Sequence, residues 1–223
     1  MPSRERRAHG FTLLEVVVTV AIVGILAALA AIGMQRFKPR ANLSSSAAQL
    51  TALFNAARQN SLATGHDTVV MVFPQFQNPT GGTGRVVLYE DGNYNFFSTT
   101  ASPNFSAFDP ADPTTVAARG EVLETLDLPL NVTVGLGGIA APTLAAPYNL
   151  IAAAACSFCA SGGDGRGAVV FDPRGRAHFY TASGASLALW GGTVALQGPA
   201  DMTGYRMVIV TSATGSVRAI NNG

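Results

Sequence analysis

Three successive hydrophobic patterns run along the chain. From Phe11 to Phe37, FTLLEVVVTVAIVGILAALAAIGMQRF, nearly every position is apolar, and Glu15 is the one charged residue before Arg36. A spanning helix needs about 20 mostly apolar residues, a length that Phe11 to Met34 meets, so a transmembrane helix is predicted there. From Ala41 to Thr64 the apolar positions thin to Leu43, Ala47, Leu50, Phe54 and Ala57, at alternating steps of four and three. Ser45, Gln49, Asn55 and Gln59 fall on the other side. This spacing predicts a second helical half with one buried stripe, closed by Gly65 as a left-handed cap. Pro39 stands between the halves; it removes a backbone donor and clashes with the preceding turn, so a kink or short break is expected near Lys38 to Arg40.

Beyond His66 the period becomes that of strands. Thr68 to Phe73 (TVVMVF) is expected to form a strand that stops at Pro74. Arg85 to Glu90 (RVVLYE) meets Asp91-Gly92 and is expected to return as Asn93 to Phe97, a hairpin. Ser98 to Ala118, rich in Pro, Ser, Thr and Asp, reads as an exposed excursion. Glu121 to Leu128 and Asn131 to Val134 are further strand candidates, and Gly135 to Gly167 is a Gly/Ala/Pro-rich connection. Ala168 to Phe171 turns through Asp172-Pro173-Arg174-Gly175 to Ala177 to Tyr180. Tyr205 to Thr211 turns through Ala213-Thr214-Gly215 to Ser216 to Ile220. Strands follow helix instead of alternating with it, which predicts an α+β fold: a long N-terminal helix with an antiparallel sheet against its second half.

Glu15 is the chemically informative residue. A charge in hydrocarbon costs at least about 2.5 kcal/mol, so a carboxylate there points to a function and a partner. The preceding ten residues, MPSRERRAHG, are polar and basic and end in Gly10 directly against Phe11. Gly10, Phe11, Thr12, Leu13, Leu14 and Glu15 together resemble a type IV prepilin leader and its junction. The resemblance implies cleavage after Gly10 by a prepilin peptidase, N-methylation of Phe11, and Glu15 as the fifth mature residue. It also implies that the partner of Glu15 is the α-amino group of a neighbouring subunit's Phe11; that amine is mostly cationic at neutral pH and keeps its charge on methylation. An uncleaved signal anchor, or a secretory signal cut near Ala27 to Ala31, is the alternative, although secretory apolar regions run to about 15 residues at most. Arg4, Arg6 and Arg7 on one flank and Arg36, Lys38 and Arg40 on the other leave orientation undecided by charge.

With 223 residues, 48% hydrophobic, the chain has room for this anchor and one globular unit. The organisation expected is a leader over 1–10, a transmembrane and filament-core helix over 11–37, its second half over 38–64, and a β-sheet domain over 65–223. A net charge of +1 with scattered basic residues gives no nucleic-acid footprint. Cys156 and Cys159 form a lone C-x-x-C; a small-loop disulfide, free thiols and a redox pair are the readings open to it, and zinc would need further ligands. No H-E-x-x-H, G-x-S-x-G or phosphate-binding loop occurs, no cofactor or metal is expected, and the chain reads as a structural protein, not an enzyme. Asp91, Asn93 and Asn95 alternate as at the start of a calcium loop, but a hairpin turn accounts for them. Arg174, Arg176, Arg206 and Arg218 would form a basic cluster if the two C-terminal hairpins adjoin.

The segments ARQNSLATG before TVVMVF, VVFDPRGRA and TGSVRAI extend the resemblance to the type II secretion pseudopilin H and minor pilin group. The implied function is a minor pilin or pseudopilin of a type IV pilus or type II secretion system, near the filament tip as initiator or adaptor. The implied partners are prepilin peptidase, other major and minor pilins or pseudopilins, and an inner-membrane assembly platform. The implied place is the bacterial inner membrane, single-pass with a periplasmic domain, then the filament. A DNA-binding minor pilin serving natural transformation is the alternative.

Overall fold

The computed structural model describes residues 12–93, 96–97, 105–113, 120–160, 163–200 and 204–222. The chain divides into two compact units, Met1–Lys38 and Pro39–Gly223. One helix, α1 (Leu13–Thr64), is continuous through Pro39, so the short break expected there does not occur. An interior proline costs about 3 kcal/mol, and the helix past it recovers more by burying its apolar stripe. Leu43, Ala47, Leu50, Phe54 and Ala57 are all buried, joined by Leu53 and Ser61. The helix ends where Gly65 takes φ +73° and donates its N–H to the Ser61 carbonyl at 3.1 Å, the cap its sequence predicts.

The rest of the second unit holds two antiparallel sheets. The larger has six strands in the order β3-β2-β1-β5-β6-β7. Its members are β1 (Asp67–Gln77), β2 (Thr83–Asp91), β3 (Glu121–Asp127), β5 (Gly167–Phe171), β6 (Ala177–Tyr180) and β7 (Ser186–Leu187). The smaller sheet has the order β10-β9-β8-β4, from β4 (Thr133–Val134), β8 (Gly191–Gln197), β9 (Tyr205–Thr211) and β10 (Val217–Asn222). Helix first and antiparallel strands after make the fold α+β.

Three details differ from the sequence reading. β1 continues through Pro74, because its pairing with β2 is irregular between Phe73 and Gln77 and no ladder bond is asked of the proline there. The hairpin partner of β2 is β1, through the 78–82 loop, and Asp91-Gly92 does not return as a strand among the described residues. The Asp91 carboxylate instead accepts the N–H of Phe96 at 2.9 Å, a local bond that competes with hairpin closure. β8 lies inside the smaller sheet although Gly191 and Gly192 open it.

The core explains the continuous apolar strands. The helix stripe packs with Val70, Val72, Val86, Leu88, Val169 and Phe171 of the large sheet and with Val194, Leu196, Val208 and Val210 of the small one. The opposite face of the large sheet, with Val69, Met71, Phe73, Val87 and Tyr89, is covered by Phe96, Phe105 and Phe108. The opposite face of the small sheet, with Ala195, Met207 and Ile209, is covered by Leu144 and Ile151. Both irregular segments therefore serve as sheet covers. The described part of the 98–118 excursion is a correction to the exposed loop expected there: Phe105 and Phe108 are fully buried.

Two arginines hold that cover in place. Arg166 pairs with Asp164 and donates through Nη1 to the carbonyls of Phe105, Ser106 and Phe108 at 2.8, 3.1 and 3.0 Å. Arg85 donates to both Asp127 oxygens, at 2.6 and 2.8 Å, and to the Pro110 carbonyl, with its guanidinium 4.7 Å from the Phe76 ring centroid. Burial alone would push the Asp164 carboxyl up, but the hydrogen bonds and charge of Arg166 outweigh it and hold the group below the usual carboxylate range.

Candidate functional site: the apolar helix and its first turn

In the N-terminal unit, Leu13–Ala31 is a 19-residue stretch of α1 long and apolar enough to cross a membrane. None of it is buried, and Leu13, Val17, Val20, Ile22, Ile25 and Leu29 expose large apolar surface around the helix. A helix that is hydrophobic on every side belongs in lipid or among other helices. Thr19 does not interrupt this surface, since its hydroxyl donates to the Val16 carbonyl at 2.9 Å.

Thr12 begins the helix. Its carbonyl accepts the N–H of Glu15 at 3.0 Å and of Val16 at 3.3 Å, while its hydroxyl oxygen lies 3.3 Å from the Glu15 nitrogen. Thr12 and Glu15 thus occupy the first and last positions of a T-x-x-E capping pattern. The exposed Glu15 carboxylate lies in the first turn, where the helix dipole presents its positive end to an anion. The sequence reading treated Thr12 only as part of the junction; the spacing to Glu15 was the signal of its capping role. Gly10 and Phe11 lie outside the described residues.

The other sequence candidates lie in the globular unit and do not converge. Cys156 and Cys159 are joined as a disulfide with Cα atoms 5.3 Å apart. Their segment is fastened to β8 by a bridge from Cys156 to Val194 and by the Ser157 N–H on the Thr193 carbonyl at 3.0 Å. The four arginines do not make one patch. Arg206 and Arg218 lie on opposite faces of the small sheet, since Arg218 is paired with Ile209, three residues from Arg206, and sides alternate. Arg218 instead lies over Tyr148, 5.8 Å from its ring centroid. Asn95 lies outside the described residues, and among the described residues no group of three His, Cys, Asp or Glu is arranged to hold a metal ion.

A cluster the sequence reading missed surrounds the start of β1. Glu90 accepts from Asn60 at 2.7 Å and lies 2.8 Å from His66 Nδ1; these bonds, Asn60 first, hold its carboxyl below the usual range. Asp67 faces Asp91 across one strand pair and neighbours Asp172 across the other. Burial first, then those two carboxylates, pushes Asp67 up, with His178 partly offsetting them. For Asp172, burial is outweighed by the N–H groups of Arg176 and Arg174 and by His178, 3.2 Å away, so its carboxyl is held low. These groups fasten the helix end and the β5–β6 turn to the sheet.

Comparison with known proteins bears on the helix and not on this cluster. No curated protein and no solved structure matches the chain. Residues 6–31 match the prokaryotic N-terminal methylation motif, so the match covers the basic leader end, the junction and the exposed apolar helix together. That motif marks the chain as type IV pilin-like: a prepilin-peptidase substrate, of a structural class, that assembles with other pilins.

Proposed function

We propose that the chain is a minor pilin or pseudopilin subunit of a type IV pilus or a type II secretion pseudopilus. The observation that carries this reading is the N-terminal methylation motif lying over a helix exposed and apolar on all sides. The leader is removed after Gly10, Phe11 is N-methylated, and the helix waits in the inner membrane, with the globular unit in the periplasm and an assembly platform as partner. On assembly the helix exchanges lipid for neighbouring helices at little hydrophobic cost, and the Glu15 carboxylate gains the Phe11 amine of a neighbour. The Thr12 cap supports this role by holding Glu15 in the first turn, beside where that neighbour's terminus would lie. The test is the N-terminal sequence and intact mass of the membrane-extracted protein, made with and without a prepilin peptidase. A chain that starts at Phe11, one methyl group heavier and only with the peptidase present, is expected. An uncut Met1, or a start near Ala31, overturns the proposal.

A further inference from the structure

The globular unit has two unlike flanks beside the same stretch of helix. At 100° per residue, Ala56, Asn60 and Ala63 lie on one side of the buried stripe and Arg58 and Leu62 on the other. On the first side runs β3, an edge strand of the large sheet, with Glu121 and Glu124 exposed and Leu123 39% exposed. Between β3 and the helix lies an open groove of about 390 Å³, floored by Leu88, Ala56 and Ala63 and rimmed by Glu124 and Gln59. Among the described residues neither Glu121 nor Glu124 has an ion pair.

On the second side the β5–β6 turn sits on the helix. Ser61 donates its hydroxyl to the Asp172 carbonyl, and a Cβ added at Gly175 would lie 3.2 Å from Leu62 and 3.4 Å from Arg58 Nε. Arg58 Nε is buried with no hydrogen-bond partner. Arg174 and Arg176 are exposed and, among the described residues, unpaired. The carboxylate of this turn, Asp172, is occupied by the N–H groups of Arg174 and Arg176, both at 2.9 Å, and by His178. Leu62, 48% exposed, stands beside these cations as Leu123 stands beside the two glutamates.

We infer that these flanks are a head-to-tail docking pair: the Arg58/Arg174/Arg176 flank of one copy of this chain seats on the Glu121/Glu124 edge and groove of a second copy. The complementarity is in charge and in shape. An arginine stem lies along the apolar floor while its guanidinium reaches Glu124 with charge-assisted hydrogen bonds, and Leu62 covers Leu123. Glutamates on an edge strand oppose strand-to-strand addition, so contact is through side chains. The flanks are different surfaces on opposite sides of the helix, so the contact is heterologous and repeats into an open chain instead of closing as a dimer.

The inference takes its setting from the filament reading but is measured separately. Self-association of the full-length protein in detergent is followed by sedimentation and chemical cross-linking. Glu124→Arg and Arg174→Glu are each expected to weaken it about tenfold, and the combined variant to restore it to within about threefold of the parent. Raising salt from about 0.05 to about 0.5 M should weaken the parent likewise, because the pairs lie at the surface. Contact between apolar helices is indifferent to these changes, so parent-like association in both single variants overturns the inference, as does a combined variant no stronger than the singles. Glu124→Gln and Arg174→Gln, which keep size and fold, should each give about a threefold loss, and no loss in either also overturns it. Failure here with cleavage at Gly10–Phe11 intact leaves the filament reading standing; failure of cleavage leaves the docking measurement unaffected.

Discussion

Neutralising Asp127 should loosen the cover on the outer face of the large sheet, and the effect can be worked from its surroundings. Arg85 is 6% exposed, and its guanidinium meets both Asp127 oxygens, the Pro110 carbonyl and the Phe76 ring. In Asp127→Asn the cation stays but loses its counter-charge and one of its two acceptor oxygens, keeping the amide oxygen, the Pro110 carbonyl and the Phe76 ring. Removing one member of a fully buried pair costs about 3–5 kcal/mol. Asp127 keeps 25% of its side chain in water, which screens the cation and brings the expected loss to about 2 kcal/mol. For a unit of this size that lowers the melting temperature by about 4–8 °C, measured by near-ultraviolet circular dichroism on the full chain in detergent. Proteolysis within residues 105–113 should rise in parallel, because Arg85 holds the Pro110 carbonyl. Arg85→Met, which removes the cation but keeps much of its stem, separates charge from packing. Combined with Asp127→Asn it should cost less than the two changes summed, by about 1–2 kcal/mol. A loss under about 0.5 kcal/mol in Asp127→Asn would refute the reasoning.

Asp67→Asn should stabilise the globular unit at neutral pH. The folded carboxyl titrates above its unfolded value, so its ionisation opposes folding, and the gain should fade below about pH 4, where both states are protonated; a melting temperature unchanged across that range contradicts the crowding of Asp67. Glu90, Asp164 and Asp172 act with the opposite sign, contributing stability above their unfolded values that is lost as pH falls through their lowered folded ones, so acid unfolding of Glu90→Gln should be shallower than the parent's. Gly215→Ala should cost more than about 2 kcal/mol in a denaturant titration, since φ is +58° and the new Cβ would lie 2.1 Å from the Gly175 carbonyl oxygen. At Gly184, φ is +80° but the nearest atoms are 3.6 Å away, so alanine there should cost only about 1 kcal/mol, from backbone strain. Glu15→Ala should leave cleavage intact and reduce incorporation into filaments, scored by comparing membrane and sheared fractions; normal filament content would sink the pairing role.

Regular periodicity was legible and tertiary compensation was not. The stripe from Leu43 to Ala57 and the hairpins flanking Asp172–Gly175 and Ala213–Gly215 follow from spacing and turn residues alone, and each is present. β8 escaped because its glycines are a packing requirement: a Cβ at Gly192 would lie 2.3 Å from the Phe179 ring, and one at Gly191 2.5 Å from Ile151. The run TVVMVF predicts a strand, but not one covered on both faces, which the structure shows it to be. Its cover could not be named, because Arg166 and Arg85 reach it over sequence separations of 58 and 25 residues, to Phe108 and Pro110. At the N terminus the junction residues form a compact motif and were readable, whereas the flanks around Arg174 and Glu124 take meaning only once the helix stands between them.

The pairing of β1 with β5 bears on how this chain is made. Thr68 lies against Phe171, about a hundred residues later, and both strands are central in their sheet. A chain emerging N-terminus first forms α1, β1, β2 and β3 while the inner edge of β1 has nothing beside it and its apolar positions lack half their neighbours. That half-sheet offers an open hydrogen-bonding edge to any other nascent copy close by. The subunit is most exposed to wrong pairing in the interval before Gly167–Phe171 arrives, so a slowed or truncated translation product should aggregate where the complete chain does not.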